Sequence, residues 1–378
     1  TLSRVRRQRQ MCIRDRAITG RLNGNAQKVV FEGQTRIGGT IFTSKVSGAL
    51  AGQRPRIEGS FAAKIVNLED MGIYPEAPVD DAGQTADPET SRMGRLFEDT
   101  PMSFEALKAI DLHLTLDADK LIGRNVTIEK FDLDILLENG RLRIYPIKMA
   151  HAAGFTSSEF VIDASGSIPK FILKIIGEDI DVEDILAYAH EPIIISGFLN
   201  LVVDLHSSGR SQHEIASNLE GEIGLALENG RIRRIIDFLS VDAFDALLST
   251  ARRSRHTDLH CLINQFSFED GVGDIEVFYM DSPRIRARGA GKVNLAEETI
   301  DVVVHPEAKR RLFRRGSPVR INGPLTGPSV RMIPSSEAAM LYADIFMPYV
   351  TIPKRILGFL WSLIRNDRPA TPCVFEKR

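Results

Sequence analysis

Cysteine is scarce in this chain. Cys12, Cys261 and Cys373 are the only three in 378 residues, and their spacing offers neither a metal site nor a disulfide framework. Neither sign of charge prevails: 48 Lys+Arg stand against 50 Asp+Glu, a formal net charge of −2. That excludes the basic excess expected of a nucleic-acid-binding domain. Long apolar runs are missing too. No window reaches the ~18 consecutive apolar residues of a membrane-spanning helix, and the richest stretch, 356–364, is about half as long. No serine, histidine or cysteine sits in a nucleophile context such as a G-x-S-x-G elbow. Aromatic residues make up only 7%, with one Trp, so the 43% hydrophobic content is mainly Leu, Ile, Val and Ala.

What is present is alternation. From 257 to 334 apolar residues fall on every second position: Ile275, Val277, Tyr279; Ile285, Ala287; Ile300, Val302, Val304; Val319, Ile321. A period of two marks strands with one dry and one wet face, and Gly271, Gly273, Gly289, Gly291, Gly323 and Gly327 supply turns and bends. The same pattern occupies Leu112, Leu114, Leu116, then Val126, Ile128, then Phe131, Leu133, Ile135, Leu137. Asn139-Gly140 follows at once and predicts a tight hairpin, because both residues tolerate positive φ. Glu-Asn-Gly-Arg recurs at 228–231 after Ile223, Leu225 and Leu227, which predicts a second hairpin and either an internal quasi-repeat or two independent copies of a common hairpin sequence.

Residues 17–74 carry further Gly-punctuated β signals, such as Val29-Val30-Phe31. Between 75 and 101 the sequence turns rich in Pro, Asp, Glu and Thr and reads as a disordered linker or long loop. Helical periodicity is confined to short connectors at 182–190 and 212–219, an amphipathic stretch at 234–251, and a tail at 335–378. The arginine-rich residues 1–16 end in Met-Cys-Ile-Arg-Asp-Arg, which resembles translated read-through of a sequencing adapter, and are set aside from the fold.

Several patterns superficially suggest chemistry. Arg288-Gly-Ala-Gly-Lys292 lacks the first Gly and the Ser/Thr of a phosphate loop and lies between strands. His256 and His260 flank a strand start, where four residues span too far for one small metal site. Asp132/Asp134 and Asp179/Asp181 read as the wet side of alternating strands. In the tail, Ile356, Leu357, Leu360, Leu363 and Ile364 make an apolar helix face beside Phe359 and Trp361. Such a helix either caps the β body or rests in a membrane interface, with Leu360, Trp361 and Leu363 at the contact.

The chain also resembles the AsmA-like family of bacterial envelope proteins. The similarity rests on the Phe-containing strand ending at Asp270-Gly271, Ser282-Pro283, Arg288-Gly-Ala-Gly291 leading to Asn294-Leu295, Thr299-Ile300-Asp301, and Val319-Arg-Ile-Asn-Gly323 with Pro328. Blocks at 111–147 and 196–233 agree, so it covers roughly 111–334. The resemblance implies a mainly β fold in which an elongated, curved antiparallel sheet forms a groove. Its domains are then a truncated N-terminal β segment (17–74), a linker (75–101), the groove domain (102–334) and the helical tail (335–378). It implies outer-membrane biogenesis by transport of phospholipid between inner and outer membranes, without catalysis, cofactor or metal. A scaffold that assists outer-membrane protein assembly is the alternative, and envelope protein partners stay open. It further implies a periplasmic body whose inner-membrane anchor is absent from this N-terminally truncated chain. The expected groove lining is Leu133, Ile135, Leu201, Val203, Leu225, Leu227, Ile300 and Val302, alternating with Asp132, Asp134, Asp204 and Asp301.

Overall fold

The computed structural model describes residues 16–49, 52, 54–71, 95–123, 127–151, 154–188, 195–233, 256–283, 285–309 and 318–333. Within them eighteen strands form a single sheet. The first four are β1 (Arg16–Gly24), β2 (Lys28–Ile37), β3 (Thr40–Ala49) and β4 (Arg56–Asn67), followed by α1 (Leu68–Met71) and α2 (Glu105–Ala109). Next come β5 (Asp111–Ile122), β6 (Thr127–Ile128), β7 (Lys130–Glu138), β8 (Arg141–Ala150), β9 (Phe155–Asp163), β10 (Lys170–Asp181) and α3 (Val182–Tyr188). The rest are β11 (Ile195–Ser208), α4 (Gln212–Ser217), β12 (Glu220–Arg233), β13 (His256–Glu269), β14 (Val272–Asp281), β15 (Ile285–Asn294), β16 (Thr299–Ala308), β17 (Val319–Pro324) and β18 (Ser329–Met332).

Each strand lies beside the next in the chain, except that β7 pairs directly with β5 and the two-residue β6 sits on the end of β5. The expected long, open, mainly antiparallel sheet with few short helices is therefore present. The predicted helix at 234–251 and the tail with Leu360, Trp361 and Leu363 lie outside the described residues. Cys261 is disulfide-bonded, a cross-link that the spacing of the three cysteines did not disclose; the other two cysteines lie outside the described residues.

Turn chemistry accounts for the tightest connections. Asn139 and Gly140, at φ 53° and 79°, link β7 to β8, and Asp270 and Gly271, at φ 47° and 71°, link β13 to β14. Two successive positive φ values give the turn that matches strand twist, and Asn, Asp and Gly reach them most easily. The second Asn-Gly behaves differently. Asn229 also has positive φ, 51°, but β12 runs straight through it, and the β11 register shifts opposite it between Ser196 and Phe198. It is a bulge, not a hairpin, so the expected quasi-repeat is corrected: the same left-handed residue serves a turn in one place and a strand kink in the other.

One pairing breaks the antiparallel rule. β4 and β5 run parallel, Arg56 opposite Asp111 through Asn67 opposite Ile122. The chain must therefore cross back to the starting rim before β5 begins. Residues 95–110 complete that return as a strap along the rim of hairpin turns. The Glu298 carboxylate, in the β15–β16 turn, accepts from the backbone N–H of Leu96 at 2.6 Å and of Phe97 at 3.1 Å. The Glu98 N–H donates to Gln212, the Ser211 hydroxyl to Asp99, and the Met102 N–H to the Arg210 carbonyl. Phe104 then meets Phe171 edge-on, with ring centroids 5.8 Å apart. Residues 95–101, the end of the stretch expected to be a disordered linker, are thus pinned by hydrogen bonds to residues more than a hundred positions away. From Leu96 to Asp111 the chain, including one turn of helix, reaches ~40 Å at most. The rim from β5 to β15 spans nine strand spacings, ~43 Å at ~4.8 Å each, which is about the full reach of that segment.

Burial is distributed unevenly. Phe42, Ala63, Ala118, Leu121 and Ile128 form one core cluster, against which Leu68 and Met71 of α1 pack. Asp70 closes that end, accepting from the backbone of Gly39 and Thr40 and from the Thr40 hydroxyl at 2.9–3.1 Å. Toward the C-terminal strands both faces are dry. Ala226, Cys261, Ile263 and Val277 cluster on one side, and Ala287, Val302 and Val304, with Ile275, Phe278 and Met280, on the other. Ile275, Val277 and Tyr279, expected on a single face, are split by a β14 bulge: Ile275 pairs with Phe266 while Val277 pairs with Gln265. The extra residue, Glu276, resets the alternation.

Candidate functional site

Antiparallel and parallel partners share a face, so the registers can be followed across the sheet. Gly20 lies opposite Gly33, Gly33 opposite Ser44, Ser44 opposite Phe61, and Phe61 opposite Leu116. Leu116 faces Leu133, then Ile147, Ser158, Ile175, Val203, Ile223, Phe266 and Ile275 in turn. Gly273, on the same side of β14 as Ile275, leads to Val293, Ile300 and Gly323. One mostly apolar face thus runs from β1 to β17. Sixteen strand spacings to β18 make it ~75 Å long.

All eight expected lining residues fall on this face. Ile135 is two residues from Leu133; Leu201 pairs with Leu225, Leu199 with Leu227, and Val302 with Ile321. Val203, Leu227 and Val302 are buried, at 7%, 2% and 6% exposure, whereas Leu133, Ile135, Leu201, Leu225 and Ile300 are half-buried. At the β1 edge Ile18 and Leu22 are 72% and 70% exposed. Among the described residues no helix longer than seven residues accompanies the sheet, so no second layer is built over this face from them.

Phenylalanines contribute to the floor in a way the alternation does not reveal. A Cβ at Gly273 would meet the Phe268 ring at 2.5 Å, and one at Gly289 the Phe278 ring at 3.0 Å. Each ring occupies the space over a glycine of the paired strand, where a side chain is missing.

The opposite face over β5–β11 is wet, as expected for Asp132, Asp134 and Asp204. Lys130 Nζ lies 2.7 Å from Asp117 and 3.7 Å from Asp132, His113 lies 3.2 Å from Asp134, and Lys174 3.2 Å from Asp204. The hydrogen bond to Lys130 holds the Asp117 carboxyl below its ordinary pKa, while the hydrogen bond to Asp117 pushes Asp132 up. These exposed pairs contribute little to stability, because water screens them. Asp301 is held by Arg320 at 2.7 Å, and that hydrogen bond lowers its pKa. At the β10 irregularity the Asp179 backbone N–H donates to Asn200 Oδ1 at 3.1 Å.

His260 turns to Asp281, at 3.1 Å, together with Arg286 at 3.2 Å and Lys309 at 2.8 Å. Burial raises the Asp281 pKa, but the hydrogen bonds from Lys309 and His260 outweigh it and the net shift is downward. This cluster ties β13, β14, β15 and β16 together and was not legible as a unit in the sequence. His256 lies at the start of β13. Arg288 to Lys292 lie inside β15, not in a loop before a helix. Among the described residues no group of three or more His, Cys, Asp or Glu stands close enough to hold a metal ion.

An open sheet that is mostly apolar along one face defines a protein that presents a surface. The AsmA family model matches residues 22–277, more than half of the chain, and the chain belongs to that family. The match begins upstream of the 111–334 block, as expected once β1–β4 are seen to extend the same sheet. The chain is 20% identical over 308 residues to the AsmA family protein YhjG of Escherichia coli (strain K12), a match covering 77% of this chain and 44% of that protein. It therefore spans less than half the length of that relative. No solved structure gives a significant match.

Proposed function

We propose that the apolar face carries phospholipid between the inner and outer membranes of a bacterial envelope, with the sheet body in the periplasm and no chemical step. The observation that supports this best is the register-continuous face from β4 to β16, mostly Leu, Ile, Val and Phe, half-buried along much of its length. Each methylene moved from water to such a surface gains ~0.8 kcal/mol. A continuous lining therefore matters more than any one side chain, and charged headgroups stay in water at the rim. Membership of the AsmA family supports an envelope protein. Purification without detergent followed by mass spectrometry of bound lipid tests the reading: co-purifying phospholipid is expected, and its absence from protein that remains folded contradicts it.

A scaffold that assists outer-membrane proteins through strand pairing is favoured by one observation. β1 is exposed along its whole length, and an edge strand can template an added strand. Proline substitution within β1 abolishes partner capture under that reading and leaves lipid binding unchanged under the first.

A further inference from the structure

On the apolar face of β10–β17, Asn264 is a mid-strand amide among Leu, Ile, Val, Phe and Gly, set between Leu225 and Phe278 in register. Its Oδ1 is shut off from water and has no hydrogen-bond partner. Ser207, on the same face near the rim, is satisfied by donating to the Ile215 carbonyl at 2.6 Å. The neighbouring Gln265 points to the other face. A buried polar atom without a partner destabilises the protein that keeps it, and an isosteric apolar residue at Asn264 would remove that cost. Leucine has nearly the same shape and would complete the lining.

Resting on the lipid-carrying reading above, we propose that Asn264 is a specificity point within the apolar face. With its half-buried side chain turned so that Oδ1 meets the open side of the face, it receives a hydrogen-bond donor, a hydroxyl or amide N–H, carried by a lipid along its acyl chain or beside the headgroup linkage. A saturated ester-linked chain has no such donor and leaves the amide unmet, whereas a hydroxylated or amide-linked chain satisfies it. A fully apolar lining would instead penalise every polar substituent on the chain. Asn264 thus shifts preference toward lipids with a donor at that depth, because rejecting a polar group and leaving one unpaired both cost binding.

Binding of stearate and of its 3-, 10- and 12-hydroxy derivatives to the delipidated full chain, and to Asn264→Leu, tests this. The wild type is expected to bind at least one hydroxystearate more tightly than Asn264→Leu does, by about tenfold or ~1.4 kcal/mol. Stearate affinity should be equal or higher in the variant, and the variant should melt no lower than the wild type. Asn264→Thr, which keeps a short polar group, should retain part of the preference and serves if the leucine variant fails to fold. Equal losses for stearate and all hydroxystearates overturn the proposal, as does a wild type with no hydroxyl-dependent difference from the variant. If the wild type binds none of the four, the lipid-carrying reading fails first, and the assignment of Asn264 falls with it.

Discussion

Replacing Glu298 by Gln tests the strap directly. The carboxylate receives two backbone N–H groups, those of Leu96 and Phe97, and these bonds hold its pKa below the ordinary glutamate value, the Leu96 bond foremost. A hydrogen bond to a charged acceptor contributes ~1.5–3 kcal/mol when buried. Here the carboxylate faces water, so screening reduces the pair to about 1–2 kcal/mol in total. Glutamine keeps one acceptor oxygen and loses the charge, leaving an expected loss of about 1 kcal/mol. Hydrogen exchange reads this locally: protection of the Leu96 and Phe97 amides should fall about five- to tenfold, since 1.4 kcal/mol corresponds to a factor of ten. If the strap opens as a unit, protection at the Met102 and His213 amides, bonded to Arg210 and Glu98, should fall with it. The pH dependence has a fixed sign. A lowered folded pKa means the contribution is present above the unfolded value of ~4.3 and is lost as pH falls through the folded one. Wild type and variant should therefore differ at neutral pH and converge in acid. Unchanged protection at Leu96 and Phe97 at neutral pH would refute the assignment of Glu298 as the anchor.

Further expectations follow from the packing and the charge cluster. Leu227→Ala empties a site that is 2% exposed and should cost about 2–5 kcal/mol in urea unfolding. Gly273→Ala places a methyl group 2.5 Å from the Phe268 ring, so displacement of the ring should cost about 1–3 kcal/mol by the same assay. Asp281→Asn leaves Lys309, His260 and Arg286 without their shared carboxylate. It should cost about 2 kcal/mol, less than the 3–5 of a fully buried pair because the cations are partly exposed. Asp281 and Asp301 both have lowered pKa values, so their stabilisation is complete above ~3.9 and declines as pH falls through the folded values; a Tm profile against pH checks this.

How much of this was readable beforehand depended on distance along the chain. Leu133, Ile135, Leu201, Val203, Leu225 and Leu227 could be placed on one face because a strand alternates by geometry, and antiparallel neighbours preserve the alternation. Asn139-Gly140 was readable because its turn is local. Asn229 was not, since positive φ serves a bulge as well as a turn. Val277 and Tyr279 were placed on the wrong face because an inserted residue at Glu276 leaves no mark in a sequence that alternates on both sides of it. The strap was hidden for a different reason. Its bonds join Leu96 to Glu298 across 202 positions, and a segment rich in Pro, Asp and Glu carries no periodic signal of its own. Asn264 carried no signal in the sequence, and only the registers place it between Leu225 and Phe278.

The most direct measurement of the central claim places a photoreactive p-benzoylphenylalanine at single positions and follows crosslinking to phospholipid in cells that make the protein. Positions 135, 201, 225 and 300 on the apolar face should give lipid adducts, whereas 134, 204 and 222 on the opposite face should give none. Adducts along the whole row identify the face as the path of the lipid. Adducts of equal yield on both faces, or on neither in a folded protein, contradict the account.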